Sequence, residues 1–360
     1  MAVFSESKWV WKNGKLIPWE EATVHVSAHG LHYGTGVFEG IRCYNTANGP
    51  SVFRLDAHLE RMFESARTYG LPIPYSQEEL TEAVADVIHA NGFSDCYVRP
   101  IATYGSASLG VHPRNCPVEV AILAWPWGAY LGADALENGI QVTVSRWKKF
   151  SSLAMPATAK ACGQYLNSML AVQDAVRRGF DEALLVDEEG IIAEGSGENF
   201  FMVQNGNVLT NNERDHVLMG ITRDSVITLA RDLGHKVFVG QMHLEELEVA
   251  DEAFFTGTAA EVTPIAALDR KPIGNQKPGP ITLELQRAFF AATSGRDPNH
   301  QDWLTPVNVP AKQAVGSTPA LPMRDFLERE VHLKRLPTMQ RQLKELQKAV
   351  ADLQKKLGNE

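Results

Sequence analysis

Apolar and polar positions alternate at the start of the chain. Trp9-Val10-Trp11 and Leu16-Ile17 flank Asn13-Gly14, the pair that supplies the positive φ values of a tight hairpin turn. Apolar runs predict further strands over residues 37–44 and 51–54. The period then becomes helical: an N-cap at Asp56 opens a helix to Tyr69, stopped by Gly70 and Pro72. A second helix covers 78–91 and ends at Gly92, and strands over 96–104 and 118–125 complete an α+β unit.

The run Trp125-Pro126-Trp127-Gly128-Ala129-Tyr130-Leu131-Gly132 is rich in Gly, Pro and aromatics, and reads as an ordered linker that also covers something. Beyond it a strand is predicted over 140–146 and a helix over 164–178, ended by Gly179. Four β segments follow, 182–186, 191–194, 199–203 and 207–210, with turn glycines at Gly190 and Gly206. A helix over 222–233 closes at Gly234, and no repeat is visible. The expected organisation is a small α/β domain (1–125), a linker (126–138), a large domain (139–304), a Pro-rich linker (305–322) and a helical extension (323–360). In that extension Leu336, Met339, Leu343, Leu346, Val350, Leu353 and Leu357 repeat at alternating spacings of three and four. This is an a/d seam with Lys, Gln, Glu and Asp between, which predicts a coiled coil over 336–357 that self-associates or holds a partner. A helix docked on its own globule is the other reading.

Composition narrows the function classes. Hydrophobic residues make up 44% of the chain and charged residues 21%, an ordinary globular profile. Net charge is −9, so nothing marks the chain for a nucleic-acid backbone or an anionic membrane, and a small-molecule partner is expected. Residues 1–20 lack a signal-peptide core, and no apolar run reaches the length of a membrane span. Cys43, Cys96, Cys116 and Cys162 are scattered without a Cys-x-x-Cys pair, so no metal site is predicted, and free thiols fit the cytoplasm.

Several short runs could carry chemistry. Lys160 lies among small residues in Thr158-Ala159-Lys160-Ala161, which leaves room for a bulky adduct. Glu194 and Glu198 sit in Glu194-Gly195-Ser196-Gly197-Glu198-Asn199, a turn between strands whose glycines let backbone approach a ligand. Gly220-Ile221-Thr222 opens a helix, and Gly257-Thr258-Ala259-Ala260 forms a small-residue turn; both offer backbone N–H groups to an anion. Each has an ordinary reading: a solvated lysine, a turn with solvated acids, a common helix start. Together they meet the needs of an aldehyde cofactor with a phosphate tail: a Schiff-base lysine, a carboxylate for the pyridine nitrogen and a phosphate cradle.

With those runs in place, residues 25 to about 300 resemble the branched-chain aminotransferases. These belong to the class IV pyridoxal-phosphate-dependent family, which also holds D-amino acid aminotransferase and aminodeoxychorismate lyase. The resemblance rests on His32-Tyr33-Gly34-Thr35-Gly36-Val37-Phe38-Glu39-Gly40-Ile41-Arg42, Tyr97-Val98-Arg99-Pro100, Lys160 with Tyr165-Leu166-Asn167-Ser168, the Glu194–Asn199 string and Thr256-Gly257-Thr258-Ala259-Ala260-Glu261-Val262-Thr263-Pro264. It implies a two-domain α+β fold of the D-amino acid aminotransferase type, pyridoxal 5′-phosphate, and transamination of leucine, isoleucine and valine with 2-oxoglutarate.

The resemblance also implies roles. Lys160 forms the Schiff base and moves the proton between Cα and C4′; Glu194 faces the pyridine nitrogen; Tyr165 bonds the phenolic oxygen. Arg61, Ile221, Thr222 and Thr258 form the phosphate cup, and Leu218 packs on the ring. Phe38, Gly40, Tyr33, Val111, Trp127, Tyr130 and Tyr165 belong to the substrate wall, partly across a dimer interface. Arg99, Tyr97 and Tyr33 receive glutamate's distal carboxylate, and the Thr258 and Ala259 amides take the α-carboxylate. The family assembles as dimers or trimers of dimers; the tail after Thr305 departs from its pattern. Two alternatives stand beside this reading: a lyase or D-specific aminotransferase on the same scaffold, and an assembly or binding protein acting through its coiled coil.

Overall fold

The computed structural model describes residue 4, residues 7–128 and residues 133–307. Tyr130, the coiled coil over 336–357 and most of the Pro-rich linker therefore lie outside the described residues.

The first sheet draws on β1 (Trp9–Lys12), β2 (Lys15–Pro18), β3 (Gly36–Phe38), β4 (Ile41–Thr46), β5 (Gly49–Phe53), β6 (Cys96–Tyr104) and β7 (Val118–Trp125). Its pairings are antiparallel, with Tyr97 opposite Trp125 and Arg99 opposite Leu123. Asn13 and Gly14 both have positive φ at the predicted hairpin turn. Before β3 lies a short helix, α1 (His29–Tyr33); after β5 come α2 (Leu55–Thr68) and α3 (Gln77–Asn91). A reciprocal Ser76–Glu79 capping box opens α3, and left-handed Gly92 closes it. Leu55, Leu59, Met62 and Ala66 form one buried stripe of α2 and pack with Leu80, Val84, Val87 and Ile88 of α3 over the sheet. Each fully buried Leu or Ile stabilises the fold by roughly 1.5–3 kcal/mol.

Three boundaries differ from the sequence expectation. The strand predicted over 37–44 breaks at Glu39-Gly40, because Glu39 turns its carboxylate inward to charged partners instead of continuing the ladder. The N-cap of α2 is Arg54 in a left-handed conformation, with Asp56 one position inside the first turn. Thr305 is not linker: β17 (Leu304–Pro306) returns to the first sheet and pairs with β5, Thr305 opposite Val52.

The second sheet is built from β8 (Ile140–Val144), β9 (Glu182–Val186), β10 (Ile192–Gly195), β11 (Asn199–Gln204), β12 (Asn207–Thr210), β13 (Val237–Val239), β14 (Glu252–Gly257), β15 (Glu261–Leu268) and β16 (Lys271–Pro272). Its order is β10-β9-β8-β15-β14-β11-β12-β13, and β10 also pairs with β11, so the ladder returns on itself. The last part of the expected 126–138 linker is a short helix, α4 (Ala133–Asn138). Between β8 and the parallel β9 runs α5 (Tyr165–Arg177), a β-α-β crossover, while α6 (Ile221–Asp232) and α7 (Pro280–Thr293) pack on β14 and β15. The β10–β11 junction has a single register pair, Glu194 opposite Asn199, and the Glu194–Asn199 turn it forms borders the cleft described next.

Candidate active site

One cleft gathers Arg61, Lys160, Tyr165, Glu194, Leu218, Ile221, Thr222 and Thr258, all eight residues expected around the cofactor. They come from α2, the loop before α5, α5 itself, β10, the approach to α6, the start of α6 and the turn after β14. No single stretch supplies the site; the two sheets bring it together.

Lys160 is held by its backbone on both sides. Its N–H donates to Ser65 Oγ at 2.9 Å, its carbonyl accepts from the Phe38 N–H at 3.2 Å, and Ala161 bridges to Val37. The Nζ donates to Tyr165 Oη at 2.5 Å. Burial, then the Arg61 charge, lowers the Lys160 pKa from an ordinary 10.5 to about 8. Burial, with Glu194 nearby, pushes the Tyr165 hydroxyl up, so it stays a neutral hydrogen-bonding group.

Glu194 is pinned at both oxygens: Lys149 Nζ donates to Oε1, and the Leu218 N–H donates to Oε2 at 3.0 Å. Lys149 itself is buried, so the pair forms a shielded, charge-assisted contact at one end of the cleft. At the other end Arg61 faces the N-terminus of α6. The helix start comes close because residue 220 is glycine: a Cβ there would lie 1.9 Å from Asn199 Oδ1. Asn199 Nδ2 in turn donates to the Leu218 carbonyl at 2.8 Å.

The expected substrate residues divide. Phe38 lies 4.9 Å from the Tyr165 ring, and Arg99 stacks over Phe38 at 4.7 Å while its Nη2 donates to Tyr97 Oη at 3.2 Å. Tyr97 packs on Trp127 at 4.8 Å, and Gly40 makes room for it, since a Cβ there would meet the Tyr97 hydroxyl at 1.9 Å. Phe38, Gly40, Tyr97, Arg99 and Trp127 thus form a wall beside Lys160 and Tyr165. Ala259 shares the turn that Thr258 presents to the cleft. Tyr33 and Val111 are elsewhere: they are 42% and 79% exposed, and the Tyr33 hydroxyl donates to the Leu109 carbonyl at 2.6 Å. Neither lines the cleft of its own chain.

Other charged residues at the site carried no role in the sequence reading. Glu39 and His58 stand behind Arg61, Lys149 braces Glu194, and Glu198 borders the cleft. Burial and the neighbouring Glu182 push the Glu198 carboxyl well above its usual range. An acid between apolar strand positions, as at Glu39, was the one available signal, because a buried charge demands a partner.

A family model for amino-transferase class IV matches residues 36–268. The chain belongs to the class IV amino-transferases. It is 45% identical over 296 residues to the branched-chain-amino-acid aminotransferase of Pseudomonas aeruginosa, covering 82% of this chain and 96% of that protein. The Escherichia coli branched-chain amino acid aminotransferase structure aligns with a TM-score of 0.82 at 44% identity, over 84% of this chain and all of its own (100%). A T.th. branched-chain amino acid aminotransferase complexed with N-(5'-phosphopyridoxyl)-L-glutamate aligns with a TM-score of 0.80 at 47% identity, over 84% and 99%. Class IV amino-transferases have the mixed α+β fold described above and depend on pyridoxal phosphate.

The residues of this class IV amino-transferase fit that group. The lysine amine lowered to about 8, the braced carboxylate and the arginine near a helix N-terminus line one cleft. Arg99 Nε is buried with no hydrogen-bond partner among the described residues, as suits a wall that receives a charged ligand.

Proposed function

We propose that this chain transaminates leucine, isoleucine and valine with 2-oxoglutarate, using pyridoxal 5′-phosphate. One observation carries the reading: Lys160, hydrogen-bonded to Tyr165, shares a single cleft with the braced Glu194 and with Arg61 and the start of α6. The cofactor, when bound, supplies an electron sink for the pair released as the amino-acid Cα–H ionises.

This chain's own residues do the rest. Lys160, neutral above about pH 8, would take the proton from the amino-acid Cα and deliver it to the cofactor's C4′ within the same half-reaction, and the other half-reaction would run that transfer in reverse. Tyr165 holds the Lys160 amine in place by its hydroxyl. Glu194, braced by Lys149, offers its carboxylate to the ring nitrogen. Arg61 with the Ile221, Thr222 and Thr258 donors holds the phosphate. Phe38, Tyr97 and Trp127 offer an aliphatic side chain an apolar face, and Arg99 in the same wall offers a carboxylate its cation. One pocket thereby admits both leucine and glutamate, the two kinds of donor a reversible exchange needs. Apolar contact separates Leu, Ile and Val by only roughly 1–3 kcal/mol per methylene, so all three are substrates. The phosphopyridoxyl-L-glutamate complex of the T.th. relative supports the glutamate side.

The working unit is a homo-oligomer, at least a dimer, acting in the cytoplasm. Val24, Val26, Leu31, Tyr33, Leu109 and Val111 are exposed on α1 and two neighbouring loops, tied together by Tyr33 Oη to Leu109 O and by a 2.8 Å contact between His29 Nε2 and Gly110 O. Such a patch favours self-association, which would carry Tyr33 and Val111 to a second copy's cleft. Among the described residues no helix is long and apolar enough to cross a membrane.

The test is the absorbance spectrum of purified protein before and after L-leucine, then 2-oxoglutarate. A yellow band that bleaches with leucine and returns with the oxo acid supports cofactor, ping-pong order and substrate class together. A yellow protein indifferent to leucine moves the reading to a D-specific aminotransferase or a lyase. A protein colourless even with added cofactor overturns it.

A further inference from the structure

Glu39 is fully buried at the break between β3 and β4, its backbone N–H fixed to the Pro100 carbonyl at 2.9 Å. Its carboxylate accepts from Arg61 Nε at 2.7 Å and from Arg61 Nη2 at 2.8 Å, a parallel fork that sets the plane of the guanidinium. Arg61 Nη1 donates to the Met219 carbonyl at 2.9 Å. An arginine has five N–H donors; three are committed here, which leaves one on each terminal nitrogen. On the other side His58 Nδ1 meets Glu39 Oε2 at 2.7 Å. Burial holds the His58 ring below its ordinary pKa, so it acts as a neutral N–H donor.

Field strength alone argues against this arrangement. A carboxylate directly behind an anion-binding arginine subtracts from the attraction that a phosphate feels. What the carboxylate supplies is direction: an unbraced arginine carries several rotatable bonds, whereas the Glu39 fork leaves the guanidinium one orientation. We propose that Glu39, braced by His58, is a positioning residue for phosphate recognition, fixing Arg61 so that its two remaining N–H donors meet the phosphate group. This rests on the reading of Arg61 as a phosphate ligand given above.

The experiment measures dissociation constants of the full-length apo-protein for pyridoxal 5′-phosphate and for pyridoxal, by tryptophan fluorescence. Glu39→Asp keeps the charge and draws the carboxylate back by one methylene. It should weaken the phosphorylated ligand about ten-fold or more while pyridoxal stays within about two-fold. Glu39→Gln should do the same although it removes a negative charge. Tighter or unchanged binding of the phosphorylated form by both variants would overturn the proposal, and so would equal losses for both ligands. Should the Glu39 variants fail to fold, His58→Asn carries the test through a smaller loss confined to the phosphorylated ligand; a loss shared by pyridoxal overturns it. Arg61→Ala separates the two levels. If it too spares phosphate selectivity, the reading of Arg61 fails; if it alone removes selectivity, that reading stands and the role of Glu39 falls.

Discussion

Tyr44 Oη donates a 3.0 Å hydrogen bond to Glu261 Oε1, joining β4 of the first sheet to the start of β15 in the second. Arg42 stacks on Tyr44 at 4.7 Å and reaches Glu261 at 3.8 Å. Glu261 has a left-handed backbone, φ +55, directly after the Thr258–Ala260 turn that borders the cleft. A non-glycine residue held there needs outside support, and Tyr44 provides part of it. Tyr44→Phe leaves the buried carboxylate oxygen short of a donor and should cost about 1–3 kcal/mol in urea unfolding. It should also raise KM for leucine more than it lowers kcat if the loosened turn receives the α-carboxylate, as the family resemblance implies for Thr258 and Ala259. A stability loss with KM unchanged would separate Glu261 from the turn.

Lys160 gives a pH signature. Its folded pKa lies near 8 against an ordinary 10.5, so between those values the unfolded chain holds a proton that the folded one has released. Through this group, stability of the apo-protein rises with pH across that window and is flat below it. Capture of pyridoxal phosphate needs the neutral amine, so its rate should climb through about pH 8. A rate constant that keeps climbing about tenfold per pH unit from 8 to 10, without levelling, would contradict the depressed pKa. Lys160→Ala should abolish transamination altogether.

Much of the frame was legible because it obeys local rules. Strands 96–104 and 118–125 fall at their expected bounds, each a regular run with clear breaks on both sides. The failures have physical causes. Residues 37–44 read as one strand because a period says nothing of Glu39's distant partners. β15 is buried along nearly its whole length, so it lacks alternation, and it was not assigned. Site residues with chemically specific neighbours in sequence, Lys160 and Glu194, could be picked out. Lys149 and His58 could not, since each acquires its meaning from a residue distant in sequence, and Glu198 stood in the right run without its burial being visible there.

Lys149 sits 6% exposed against Glu194, and no other described cation touches that carboxylate. Lys149→Met should therefore remove the carboxylate's charge-assisted partner and lower kcat by roughly ten-fold. Glu194→Gln, which cannot carry the charge at all, should lower kcat by roughly 10²–10⁴-fold. An unchanged kcat in Lys149→Met would show that the Leu218 N–H alone is enough to hold the Glu194 carboxylate in place.

Val111 is 79% exposed and lies outside the cleft of its own chain, so a charge there should leave folding within roughly 0.5 kcal/mol. If the loop patch joins two copies, Val111→Asp lowers the mass seen by light scattering and depresses activity with it. Full activity from a smaller species would remove the need for a second copy. An unchanged mass would place the interface elsewhere.

Arg99 offers the sharpest test of dual specificity. Its guanidinium packs on Phe38 and Tyr97 and bonds the Tyr97 hydroxyl, so it belongs to the apolar wall and gives that wall its cation. On the proposed reading leucine would use only the packing, whereas glutamate would also need the charge for its distal carboxylate. Arg99→Ala should accordingly lower kcat/KM for glutamate about 10²-fold, equivalent to roughly 2.7 kcal/mol, and for leucine by under about ten-fold. Arg99→Met, which restores bulk without charge, should recover leucine but not glutamate. Equal losses for the two substrates in both variants would mean that Arg99 shapes the pocket without telling an aliphatic side chain from a carboxylate, and the discriminating cation would then have to come from another copy.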